Sequence, residues 1–155
     1  MPEAVMDAID PLKLENQLCF PLYAAAKEVV RLYAPLLKEI DLTYTQYIAM
    51  MVLWQERELT VKALGQRLLL DAGTLSPMLK KMAERGLVTR RRDPDDERSV
   101  VLTVTAEGMA LKSRAVAIPP KIGSCIPLTQ EEARLLYGLL YKILDNLKED
   151  AHDCL

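Results

Sequence analysis

The chain has 155 residues, the length of one ordinary domain with enough material for a sizeable core. Half of it is hydrophobic, 27% is charged and only six residues are glycine, which excludes a disordered, collagen-like or low-complexity protein. The formal charge of −2 gives the whole chain no general attraction to nucleic acid or to an acidic membrane.

Missing features exclude more. No stretch approaches the roughly 18–20 uninterrupted apolar residues of a membrane span, and the start, Met-Pro-Glu-Ala-Val-Met-Asp, has neither a basic opening nor an apolar run. Cys19, Cys125 and Cys154 are odd in number and far apart, which fits neither a disulfide framework nor a zinc site, so no metal is expected. The single histidine, His152, lies near the end of the chain, a poor place for a Ser-His-Asp or Cys-His relay. Neither glycine-rich nucleotide loop occurs, so no cofactor is expected. The expectation is a soluble, cytoplasmic protein that is not an enzyme.

Residues 11–37 carry a helical apolar pattern, Leu18, Leu22, Ala26, Val29, Tyr33 and Leu36, with Pro21 implying a helix start near Phe20 or a kink. Asp41-Leu-Thr43 reads as a cap before a second helix over about 44–54, and Thr60 caps a short third helix over 61–68. Residues 70–74 form a turn with a glycine and a capping residue, and a fourth helix is expected over about 75–85, stopped by Gly86. Two such helices joined by a tight turn have the spacing of a helix-turn-helix. Residues 87–92 and 99–105 then read as strands around a polar tip, Asp93-Pro-Asp-Asp-Glu-Arg98, making a β-hairpin wing. A helix resumes at Ala106 and is expected to break at Pro119-Pro120, leaving Cys125 in a loop. Thr129 and Glu132 form a capping box for a last helix whose leucine stripe, from Leu135 to Leu147, is too apolar to leave in water.

Charge supplies the functional signal. Lys80 to Arg92 holds six basic residues against one acid, a local +5 that leaves −7 for the rest. A lone charge run is usually a solvated face. This one coincides with the second helix of the helix-turn-helix and the first strand of the wing, the two parts that approach a duplex. Thr74, Ser76, Pro77, Met78 and Lys80 are placed to reach base edges, Lys81, Arg90, Arg91 and Arg92 to meet phosphates, and Arg98 at the tip suits a narrow minor groove.

The run Asp71-Ala-Gly-Thr-Leu-Ser-Pro-Met-Leu-Lys-Lys-Met, then Gly86-Leu-Val-Thr-Arg-Arg and Asp93-Pro-Asp-Asp-Glu-Arg-Ser through Leu102-Thr-Val-Thr, resembles the MarR family of bacterial winged-helix repressors. Asp96-x-Arg98 followed by a strand ending in Thr, with Gly108 beyond, is fairly specific to that family. Leu14-Glu-Asn-Gln-Leu-Cys19-Phe, with Tyr23, Tyr33 and Tyr44, narrows the resemblance to the OhrR-type, organic-hydroperoxide-sensing branch. The resemblance implies a mainly α winged helix-turn-helix with a small β wing. It implies a homodimer formed by N- and C-terminal helices, with a sensor and dimerisation region at 1–40, a DNA-binding domain at 41–105 and dimerisation helices at 106–155. It further implies repression from a palindromic double-stranded operator and release on oxidation of one N-terminal cysteine by an organic hydroperoxide. By position, Cys19 is that thiol, Tyr33 and Tyr44 are the phenols that hydrogen-bond it, and Tyr23 is a neighbour that shifts. Cys125 is then a resolving thiol from the other subunit, or else a low-molecular-weight thiol caps Cys19; Cys154 is idle.

The residues bear on this independently. A free cysteine is most often a small hydrophobe. Against that, a helix starting just past Cys19 aims backbone N–H groups at its sulfur, a setting that suits a reactive thiol. Six tyrosines against one phenylalanine is more hydroxyl than bulk alone requires. Fourteen residues of helix span ~21 Å, so Tyr33 meets Cys19 only across a dimer. Apolar neighbours, Phe20, Leu22 and Met50 or Met51, would favour organic hydroperoxides. Two rivals stand beside this reading: a repressor released by a phenolic or aromatic ligand, and a thiol peroxidase using Cys19. A scaffold role fits the recognition helix and wing least well.

Overall fold

The computed structural model describes residues 10–149. A 3-10 turn, Leu14–Asn16, precedes seven helices: α1 Cys19–Lys38, α2 Tyr44–Glu56, α3 Val61–Leu68, α4 Ala72–Glu84, α5 Ala106–Ala115, α6 Ile118–Cys125 and α7 Gln130–Glu149. Three short strands, β1 Glu58–Thr60, β2 Val88–Arg92 and β3 Val100–Val104, form an antiparallel sheet in the order β1-β3-β2. The chain is mainly α with a small β wing, as expected. It divides into two units, one ending at Ile122 and the other beginning at Gly123.

Side-chain caps start most of the helices. Thr43 and Gln46 exchange side-chain and backbone bonds in a capping box at α2, Thr60 accepts from the Ala63 N–H at α3, and Thr105 accepts from the Gly108 N–H at α5. Thr129 and Glu132 do the same at α7, and the N–H and hydroxyl of Thr129 hold the Glu132 carboxyl below its ordinary range.

Three local expectations are corrected. The fourth helix begins at Ala72, not Leu75, because Asp71 rather than a later residue caps it, accepting from the Thr74 N–H at 2.9 Å. The helix opened at Ala106 ends at Ala115, before the prolines. Pro119 and Pro120 instead occupy the first turn of α6, where a missing N–H breaks no helical bond. Cys125 is therefore the last residue of a helix and not a loop residue. The strand β1 was not expected: three residues, Glu-Leu-Thr, carry too little alternation to register. Pro21 is resolved as a first-turn proline of an α1 that begins at Cys19.

The core of the first unit gathers Leu37 from α1, Met50 and Leu53 from α2, Leu64 from α3, Leu75, Leu79 and Met82 from α4, and Val88 and Leu102 from the sheet. Burying a side chain of this size stabilises by ~1.5–3 kcal/mol, so α3, α4 and the sheet are held to α2 chiefly by this cluster. In α4 the buried residues recur at intervals of four and three, which leaves Ser76, Pro77, Lys80 and Lys81 on the opposite, exposed side.

Candidate functional site

At the front of α4, the Asp71 carboxylate takes both the backbone N–H and the hydroxyl of Thr74, and these bonds hold its carboxyl below the ordinary carboxylate range. Thr74 is thus exposed but already bonded by its own helix start. Ser76, Pro77, Lys80 and Lys81 are exposed, while Met78 is half-buried at the flank of the core stripe. Pro77 lies beyond the first turn and cannot donate to the Gly73 carbonyl, one helical bond fewer on the outward face.

The wing turns through residues 93–99 on short carboxylate bonds. Asp93 accepts from the Asp95 N–H at 3.0 Å, and Asp96 accepts from the Arg98 N–H at 3.1 Å. Asp96 therefore shapes the tip that displays Arg98. The three arginines of β2 are not equivalent, since strand alternation sends Arg91 to the opposite face from Arg90 and Arg92. Arg91 pairs with Glu58 of β1 at 3.0 Å, and the same carboxylate accepts from the Thr103 hydroxyl at 2.7 Å. Arg92 donates to the Glu97 carbonyl at 3.2 Å. Arg90 and Arg98 instead line an open groove of about 880 Å³ between the wing and the α3–α4 pair, with Lys62, Ser76 and Asp96.

Of the sensing residues, Tyr33 on α1 and Tyr44 at the start of α2 meet edge to face, ring centres 5.0 Å apart. Tyr47, one turn along α2, joins them at 5.8 Å from Tyr33. Burial pushes the Tyr33 and Tyr47 phenols above their ordinary value. Cys19 is elsewhere. It is the first residue of α1, exposed, with no side-chain cap before it and Pro21 in its first turn. Tyr23 stands one turn further along the same face, and Leu18, Phe20, Leu22 and Tyr23, its neighbours in the chain, are all exposed. Met50 is wholly buried in the core, so only Met51 of the two methionines reaches the surface. Within one chain the structure brings Tyr33 and Tyr44 together and leaves Cys19 about 21 Å along the helix from them.

Residues 31–115 match the family described as transcriptional regulator SarA/Rot. The organic hydroperoxide resistance transcriptional regulator of Bacillus subtilis (strain 168) is 46% identical over 140 residues, 90% of this chain and 95% of that protein. The chain belongs to the MarR family, in its organic-hydroperoxide-resistance branch. Among solved structures, reduced AbfR bound to DNA, a Staphylococcus epidermidis protein, is 32% identical with a TM-score of 0.74, covering 88% of this chain and 93% of that one. The disulfide form of AbfR, 33% identical over 86% of this chain and 91% of that one, superposes less well, with a TM-score of 0.63.

Two residues of this regulator escaped the sequence reading. Tyr47 lay inside an apolar helix and looked like core, and only its ring contact with Tyr33 draws it to the sensing pair. Glu58 sits in the unrecognised strand, and its ion pair with Arg91 depends on both residues lying beside β3. Among the described residues no group of three or more His, Cys, Asp or Glu is arranged to hold a metal ion. Cys154 and His152 lie outside the described residues.

Proposed function

We propose that this MarR-family regulator is a repressor that holds a palindromic operator as a homodimer while Cys19 is reduced and releases it when an organic hydroperoxide oxidises Cys19. The α4 face with Ser76, Pro77, Lys80 and Lys81 enters the major groove, with Thr74 and Met78 at its margins, and Arg98 follows the minor groove. Arg90 and Arg92 contact phosphate, with Arg91 braced by Glu58 and the tip shaped by Asp96. Residues 1–40 and 106–155 supply the dimer contacts and 41–105 the reading head.

In the sensing step the Cys19 thiolate attacks the terminal peroxide oxygen. The O–O bond breaks, sulfur gains the oxygen as sulfenic acid, and the leaving alkoxide takes a proton to become an alcohol. A second thiol then displaces that oxygen as water to form a disulfide. Cys125 of the partner subunit and a low-molecular-weight thiol are the two candidates for it. Tyr33 and Tyr44 of the partner bond the reduced sulfur, and Tyr23 moves with it.

The observation that carries this reading is the placing of Cys19: exposed at a helix start, with exposed apolar side chains at the neighbouring positions of the chain, and a helix length away from its own tyrosine pair. A thiol so placed, out of reach of the tyrosine pair on its own helix, supports completion by a second chain. The relatives support the chemistry, since AbfR is known both reduced on DNA and as a disulfide. The test is fluorescence anisotropy on DNA from upstream of the protein's own gene, before and after one equivalent of cumene hydroperoxide. Wild type is expected to release the DNA and Cys19→Ser to stay bound. A mutant that releases with wild type refutes Cys19 as the switch, and peroxide turnover far beyond one equivalent revives the peroxidase. A non-reducing gel of wild type and Cys125→Ser separates the two resolving thiols.

One observation favours a second reading, release by an aromatic ligand. An open cleft of about 770 Å³ lies between α1, α2 and the end of α4, with Tyr44 on its wall and Arg31, Lys38 and Arg85 around it. If both wild type and Cys19→Ser stay bound after peroxide, that cleft is where a ligand screen starts.

A further inference from the structure

We propose that Tyr47 and Trp54 are positioning residues that carry a displacement of the Tyr33–Tyr44 pair to the common root of the recognition helix α4 and the wing. The inference rests on the reading that Tyr33 and Tyr44 form part of the oxidation sensor. The route is a continuous set of contacts inside the first unit. Tyr47 touches Tyr33 at 5.8 Å between ring centres, and two turns along α2 Trp54 meets Tyr47 edge to face at 6.3 Å. Both rings are buried, Tyr47 at 3% exposure and Trp54 at 6%, so neither can move without moving its neighbours.

The far end is anchored by a hydrogen bond. The Trp54 indole N–H donates to the Gly108 carbonyl at 2.8 Å in a buried site. Gly108 has no slack, since a Cβ there would lie 2.1 Å from the Leu87 carbonyl oxygen. The Gly108 N–H donates to the Thr105 hydroxyl at 2.9 Å, and that hydroxyl donates to the Gly86 carbonyl at 2.6 Å. Gly86, at φ +74°, is the turn by which α4 passes into β2, and Thr105 is where β3 passes into α5. One indole therefore grips the knot from which the recognition helix and both wing strands emerge. Packed side chains of this kind shift between discrete arrangements, so a ring displaced at Tyr33 is felt at the knot as a changed angle between α4 and the wing.

Trp54 is the only tryptophan in the chain, so its emission reports on the route directly. The test uses the full-length protein with three readouts: trapping of sulfenic acid at Cys19, operator release after one equivalent of cumene hydroperoxide, and Trp54 emission. In wild type, emission is expected to change in step with release. Tyr47→Leu should oxidise at Cys19 at the wild-type rate, while the ratio of reduced to oxidised operator affinity shrinks about tenfold, within the usual range of coupling between sites. Tyr47→Phe, which keeps the ring, should restore the ratio. Full release by Tyr47→Leu, or release in wild type with unmoved Trp54 emission, overturns the proposal. Should wild type not respond to peroxide, or Tyr47→Leu not fold, emission of unoxidised Tyr33→Leu decides. A changed spectrum supports the route and an unchanged one refutes it, whatever the fate of the redox reading.

Discussion

The thirteen residues of α2 bury seven side chains, whereas the twenty residues of α1 bury one, Leu37. Along α7 no described side chain is buried, and Leu135 and Tyr137 are about two-thirds exposed. The head built from α2, α3, α4 and the sheet closes its core within one chain. The long terminal helices carry many large apolar side chains and leave most of them exposed. Leu18, Phe20 and Tyr23 near the start of α1, and Leu135, Tyr137 and Leu139 along α7, are large apolar side chains left exposed. The contrast teaches where stability sits: the head closes a core of its own, while α1 and α7, each in its own unit, leave most of their apolar side chains uncovered.

Substitutions that attack the two regions should fail in different ways. The largest effect is expected for Leu102→Ala in the closed head, where a fully buried side chain is lost at ~2–5 kcal/mol of stability. Thermal melts should show the loss, and a melt within 1 °C of wild type would mean that the head is not the independent core described. Next comes the double variant Leu135→Glu with Leu139→Glu. Its head should keep its secondary structure while the protein sediments as a monomer, and operator affinity should fall by ~100-fold or more as two linked contacts become one. A dimer with full affinity would place the interface elsewhere. The smallest effect lies within the head. Arg90→Ala should weaken operator binding by ~10-fold and lower the slope of log affinity against log salt by about 1. Arg91→Ala should do less, because its guanidinium is already engaged with Glu58; equal slopes would remove the distinction between the two faces of β2.

Much of the head was legible before any coordinates. Thr43 and Thr60, like Thr129 at α7 outside the head, announce helix starts because a side-chain oxygen accepting a backbone N–H needs only residues two or three apart. The hairpin was legible because its strands flank a short polar turn. The start of α4 was misplaced for a related reason. Asp71 and Thr74 are both capping types, and which one serves depends on a hydrogen bond between them that composition does not reveal. The prolines at 119 and 120 misled because proline both stops a helix and suits the first turn of the next. The proposed sensing residues Cys19, Tyr33 and Tyr44 stood out by type and by resemblance, but Tyr47, which packs on Tyr33, did not, since a tyrosine in a buried helix has the same sequence signature as bulk.

The sequence by itself determined the order of the elements, the basic strip on α4 and β2, and the separation of Cys19 from Tyr33 along one helix. These follow from caps, periodicity and a fixed rise per residue, all of which act between near neighbours. Only the tertiary structure decided that Arg91 faces Glu58 while Arg90 faces the groove, that Met50 is core and Met51 surface, and that Trp54 reaches Gly108. Those pairs are brought together by the closing of a shared core, and residues far apart in the chain meet there for reasons that no local pattern records.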